Sequence, residues 1–181
     1  ILVFGALKHQ SEESSEGDLD VVVTIASPRT PVTVRRKDKR FGIWVNVDAL
    51  EVDLAPSFYA VATTRPFEQV VSNASDLWHQ ISVRQLIRAV SGPLAIENPE
   101  DFTEALVRVR ESDGLYQTLS GAVTLQDQTL FSTSVSLPAN LVEGTYTARI
   151  FLMRDGDVIS QHQTAIDVRK VGIERWLYNL A

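Results

Sequence analysis

The residues with the most evident chemical potential are cations. Arg29, Arg35, Arg36, Lys37, Lys39 and Arg40 fall within twelve positions, offset only by Asp38, and Trp44 follows close behind. Clustered cations bind phosphates and other small oxyanions, or the headgroups of anionic lipids. The competing use is a solvated hairpin between Val32-Thr33-Val34 and Phe41-Gly42-Ile43, in which charge keeps a sheet edge from pairing with another chain.

A second group stands at the other end of the chain. Ile173, Trp176, Leu177 and Leu180 recur at i, i+3, i+4 and i+7, with Lys170 before them and Arg175, Trp176 and Tyr178 side by side. Aromatic rings beside cations occupy the headgroup level of a bilayer. Residues 173–181 therefore read as a juxtamembrane lead-in to a span beyond Ala181; the alternative is a terminal helix docked on the domain.

Other candidates for chemistry are thin. His9, His79 and His162 lie 70 and 83 residues apart, so no helix face carries two imidazoles and no metal is expected. His79 with Asp76 is the best acid–base pair available, but nothing in the pattern assembles a pocket around them. No Gly-x-Ser-x-Gly elbow and no glycine-rich phosphate loop occurs. Asp155 and Asp157 flank Gly156, yet the remaining oxygen ligands of a calcium loop are missing, which leaves a hairpin turn. Asn73-Ala74-Ser75 matches a glycosylation acceptor, a pattern too short to carry weight. The expectation is a protein that is not an enzyme and holds no cofactor.

Composition sets the frame around these residues. The chain has 181 residues, and its formal net charge of -6 repels polyanions, which argues against a nucleic-acid partner. With 0 cysteines, disulfides and thiolate metal sites are excluded. The longest apolar runs, Ile1 to Leu7 and Val21 to Ala26, have strand length and fall short of a membrane span. Because Ile1 already lies inside an apolar run, a signal peptide, or a signal peptide and a first strand, is expected before it.

The elements that must position the cations are mostly strands. Val21, Val23 and Ile25 share one face of a strand closed by Pro28 and Pro31, and Phe58 to Thr63 is another ended by Pro66. Phe41, Ile43, Val45 and Val47 alternate with Gly42, Trp44, Asn46 and Asp48, the period of a half-buried strand. From about residue 76 to 117 the period becomes helical. Ser82 and Gln85 form a capping box ahead of Val83, Leu86, Ile87 and Val90, with Gly92 as the stop. Asn98, Pro99, Glu100 and Asp101 open a second helix carrying Phe102, Ala105, Leu106 and Val109 on one face, with Gly114 past its end. Strands resume with Ala122 to Leu125 and the alternating Phe131, Thr133, Val135 and Leu137. Tyr146 opens a further strand just after Gly144, and Asp155-Gly156 turns it into a hairpin with Val158 to Val168. A Tyr in that place is similar to the tyrosine corner of immunoglobulin-like sandwiches. The fold expected over residues 1–172 is mainly β, an immunoglobulin-like antiparallel β-sandwich with a two-helix insertion.

Several longer strings carry a resemblance. Val32-Thr33-Val34-Arg35-Arg36-Lys37, Arg40-Phe41-Gly42-Ile43-Trp44-Val45-Asn46, Pro56 to Pro66, Glu143-Gly144-Thr145-Tyr146 and Asp167 to Trp176 resemble an alphaproteobacterial family of putative transmembrane proteins of unknown function. The resemblance covers nearly the whole chain. It implies a leader, a periplasmic domain and one C-terminal anchoring helix in the inner membrane, often encoded near sulfite-exporter-type permeases, and it supplies no catalytic residue. The function expected is non-catalytic: binding of a partner protein, as an accessory subunit of a membrane complex or transporter. Its contact surface would be the helical insertion, the 35–40 hairpin or the face of Trp44. The alternative is a small-anion or ligand-binding module that uses Arg35, Arg36, Lys37, Lys39 and Arg40, for an oxyanion such as sulfite.

Overall fold

A computed structural model of the chain describes residues 1–7, 17–89 and 99–169. Its centre is a five-stranded sheet in the order β11-β10-β2-β5-β7. β2 (Leu19–Ala26) and β5 (Tyr59–Thr63) lie in the middle, flanked by β10 (Gly144–Arg154) with β11 (Asp157–Val168) on one side and β7 (Tyr116–Leu119) on the other. Strands covered on both faces need apolar side chains at consecutive positions. β2 supplies Val21, Val22 and Val23, and all five residues of β5 are buried.

Alternation along these strands divides the core in two. Val22, Tyr59, Val61, Phe151 and Met153 pack with Val70, Ile81, Leu86, Leu106 and Val107 from the helical stretch and with Val52. On the opposite face Val21, Val23 and Ala62 meet Val123 and Phe131, and Ile25, Phe58 and Ala60 meet Tyr146 and Ala148. Val123 and Phe131 belong to a small sheet, β1-β9-β8, made of β1 (Leu2–Ala6), β8 (Val123–Gln126) and β9 (Leu130–Ser134). A third sheet, β3-β4-β6, is formed by β3 (Arg29–Arg40), β4 (Ile43–Pro56) and the short β6 (Arg88–Ala89).

The expected mainly β fold is present, with its details redrawn. Every strand pair among the described residues is antiparallel except β5 with β7, which is parallel. The reason is the connection: a parallel neighbour requires a long crossover, and the helical stretch between Thr63 and Tyr116 provides it. That stretch holds four helices among the described residues, beginning earlier than expected: α1 (Phe67–Val70), α2 (Asn73–His79), α3 (Val83–Leu86) and α4 (Pro99–Ser112). Ser82 caps α3 by accepting a hydrogen bond from Gln85 N at 3.4 Å, as the capping box requires. The helix nevertheless stops after one turn, because Ile87 is extended and Arg88 and Ala89 pair with Leu54 and Val52 on the edge of β4. Val90, Gly92 and Asn98 lie outside the described residues. α4 follows its punctuation, with acidic residues in the first turn and Gly114 at φ +69° past the end.

Two local devices hold the layers together. Tyr146 Oη donates to Val142 O at 2.7 Å, tying the start of β10 to the backbone before it. Arg149 reaches from β10 to the end of α2, where its guanidinium donates to the carbonyls of His79 and Gln80 at 2.7 Å each and lies over the Phe151 ring. A cation at a helix C-terminus satisfies carbonyls that the helix leaves unpaired.

Candidate functional site: an exposed hairpin arm

The cationic cluster occupies the far half of the β3–β4 hairpin. At its base, Val32 pairs with Val52 and Val34 with Leu50, and Leu50 and Val52 are fully buried. Next along the same face come Arg36 and Asp48, also partners in the ladder. Arg36 Nη2 meets Asp48 Oδ2 at 2.6 Å, and the guanidinium lies 5.8 Å from the centre of the Phe102 ring on α4. The first contact closes the hairpin on itself, and the second ties it to α4.

Between Arg36 and Lys37 the register shifts, leaving Val47 as the extra residue of a bulge. Beyond it the ladder runs Lys37 with Asn46, Asp38 with Val45, Lys39 with Trp44 and Arg40 with Ile43. Side chains opposite one another share a face. One face of the tip thus presents Lys37, Lys39, Trp44 and Asn46, and the other presents Asp38, Arg40, Ile43 and Val45. Arg40 sits 3.7 Å from Asp38, an exposed pair of little energetic weight. Arg35, Lys37 and Lys39 make no ion pair among the described residues.

Pairing of Arg40 with Ile43 leaves Phe41-Gly42 as a two-residue turn, with φ of 51° and 84°. Positive φ at both positions is the type I′ pattern, which favours Asn-Gly. A bulky residue in the left-handed region costs about 1 kcal/mol or more. Phe41 accepts that strain and returns no burial, since it is 105% exposed. Ile43 and Trp44 are 67% and 66% exposed. The half-buried strand expected from the alternation of Phe41, Ile43, Val45 and Val47 is therefore corrected: among the described residues, no layer covers either face of the tip.

The other expected site residues separate. Arg175, Trp176 and Tyr178 lie outside the described residues, as does His9. The His79 ring packs edge-on against Phe151 with centroids 6.0 Å apart. Asp76 accepts from the amides of Ile81 and Ser82 at 3.1 and 2.6 Å, so its carboxylate fastens the α2–α3 link. Asp155 and Gly156, both at positive φ, form the turn of the β10–β11 hairpin, and Asp157 accepts from Ser72 and Ser75. A cleft of ≈ 230 Å³ between the sheet and the helices is lined by Tyr59, Phe67, Glu68, Arg84, Glu111 and Tyr116 among others, and it includes neither His79 nor Asp76.

Two polar centres escaped the reading of the sequence. Asp20, 4% exposed, is held by Arg65 and by Thr64 Oγ1 at 2.6 Å. Burial pushes its carboxyl up, but hydrogen bonds from Arg65 and Thr64 and the Arg65 charge outweigh this, and its pKa lies below the ordinary value. Tyr116 donates to Pro56 O at 2.8 Å, and burial pushes its hydroxyl up to about 12 against the opposing charge of Arg110. A lone Asp before an apolar strand gives no sign of a partner 45 residues away. Asp20 fastens β2 to the segment after β5, and Tyr116 fastens β7 to Pro56 at the base of the β3–β4 hairpin.

The profile of a family described as "Putative transmembrane protein (Alph_Pro_TM)" matches residues 1–181. The chain belongs to this family. No curated protein and no solved structure matches it. Among the described residues of this Alph_Pro_TM chain, no helix is long and apolar enough to cross a membrane.

Proposed function

We propose that this Alph_Pro_TM chain is the non-catalytic, periplasmic domain of a protein anchored in the inner membrane by a C-terminal helix, and that it binds a partner protein as an accessory subunit of a membrane complex or transporter. One observation carries the reading. The arm extends past its last buried residues by a segment with Phe41, Ile43, Trp44 and five cations, all exposed, and with a strained turn at its end. Aromatic residues and arginine are the types enriched at the centres of protein interfaces, and they are used there because they exchange water for contact. An element that contributes this little to its own core is built for a contact outside it.

The anchor is supported by Arg175, Trp176 and Tyr178 and by the family description. An immunoglobulin-like sandwich, with the helical stretch inserted between β5 and β7, is supported by the Tyr146 corner and by core packing on both faces of the central sheet. The experiment is capture of the full-length protein from membranes in mild detergent, beside a variant in which residues 37–47 are replaced by Asn-Gly so that Arg36 and Asp48 close the hairpin. A membrane protein that accompanies the native form in fixed ratio and is lost from the shortened form is the expected result. No companion, or the same companion with both forms, would refute the reading.

A further inference from the structure

We propose that the tip of the arm, beyond the Arg36–Lys37 bulge, inserts into the interface of an anionic lipid bilayer. Phe41, Ile43 and Trp44 then sit among the headgroups, and Lys37, Lys39 and Arg40 meet lipid phosphates. The proposal rests on the arm being a docking element and names what its end docks on.

Charge points to the occupant. Residues 35–48 hold five cations and two carboxylates, Asp38 and Asp48, in a chain whose formal net charge is -6. An anionic surface repels the molecule as a whole and attracts this segment, which fixes the orientation of approach. A soluble anion would need cations converging on one point, whereas here strand alternation spreads them over two faces.

Both faces of the tip set a cation beside apolar side chains. Lys37, Lys39 and Trp44 lie on one face, and Arg40, Ile43 and Val45, with Asp38 beside Arg40, on the other. A headgroup layer surrounds both faces with a mixture of phosphate and hydrocarbon. Cations with long apolar stems beside an aromatic ring suit that boundary.

Geometry sets the depth. The three steps from Lys37 to Arg40 advance about 10 Å at the rise of a strand. That crosses a headgroup layer, which is roughly 5–8 Å thick on each side of the hydrocarbon. Deeper entry is opposed by the backbone, since strand edges with unpaired amides and carbonyls do not enter hydrocarbon. In the segment 37–46 each strand pairs only with the other among the described residues. Left-handed Phe41 places an aromatic ring at the leading point, where Asn would relieve the turn and contribute nothing to insertion.

The test uses the 181-residue chain with Trp78→Phe and Trp176→Phe, which leaves Trp44 as the sole tryptophan. Vesicles are phosphatidylcholine with or without phosphatidylglycerol, and a third set carries brominated acyl chains. We expect binding to the anionic vesicles, weakened by salt, with Trp44 emission shifted to the blue and quenched by the brominated lipid. Each removed cation lowers affinity about fivefold, so Lys37→Gln with Lys39→Gln lowers it about 25-fold. Binding in which Trp44 stays unquenched, or equal binding by the double variant, would overturn the proposal. So would release of Trp44 by inorganic phosphate at constant ionic strength, which would assign the cations to a small anion. Protein-free vesicles test the lipid contact and detergent capture tests the partner protein, so either can fail while the other stands.

Discussion

Phe41→Asn separates what the arm does for the fold from what it does beyond it. Phe41 holds φ 51° in the turn, and its side chain is 105% exposed. Removing the ring therefore loses almost no buried area, and only the backbone term remains. Asn tolerates the left-handed region several-fold better than a bulky aromatic, a difference worth about 1 kcal/mol, and Asn-Gly is the preferred pair for this turn. For a chain of this size, about 1 kcal/mol raises Tm by roughly 2–4 °C. Thermal unfolding followed by circular dichroism reads the shift, provided the transition is reversible and two-state. The same variant should bind anionic vesicles more weakly, so stability rises as binding falls. A lower Tm would refute the reasoning, because it would mean that Phe41 contacts the body and the tip is covered by the domain itself.

Other expectations follow from the polar centres of the body. Asp20 has a folded pKa below its unfolded one, so it contributes stability above the unfolded value near 4 and loses it as pH falls further; Asp20→Asn should flatten the acid limb of a stability–pH profile measured by urea unfolding. Tyr116 has the opposite sign: the unfolded phenol ionises near pH 10 while the folded one holds its proton to about 12, so stability drops across that window. Tyr116→Phe should make that alkaline loss shallower while costing about 1 kcal/mol at neutral pH through the hydrogen bond to Pro56. Arg149→Met removes the donors to the His79 and Gln80 carbonyls and should cost about 2–3 kcal/mol, with the vesicle binding of the folded fraction unchanged. Gly5→Ala would set a Cβ 2.7 Å from the Phe131 ring and should destabilise by about 1–3 kcal/mol in the same unfolding assay.

Local chemistry made much of this fold legible. The Asp155-Gly156 turn announced the β10–β11 hairpin, Pro99 and Gly114 bracketed α4, and the apolar run at Val21 marked a central strand. What stayed hidden depends on distant partners. β6 exists because β4 offers it an edge, and β7 lies parallel to β5 because of where the crossover returns. The arm is the instructive failure. Alternation of Phe41, Ile43 and Val45 with Trp44 and Asn46 states that two faces differ, but not that a layer will cover one of them. Phe41-Gly42 between paired runs was the available sign of a turn, masked by an aromatic where Asn is usual. The cations were legible as a cluster, while their division between two faces required the register.

Position 44 offers the most direct measurement of whether the arm is a contact element. The 181 residues hold 0 cysteines, so Trp44→Cys and, as a control on an exposed strand, Ser160→Cys each add a single thiol to them. Labelling with a membrane-impermeant maleimide is compared between the isolated 181-residue domain and native membranes. Both thiols should react in the isolated 181-residue chain, and only the one at position 44 should become protected in membranes. Equal labelling of position 44 in both settings would show the arm ending in water and would contradict it.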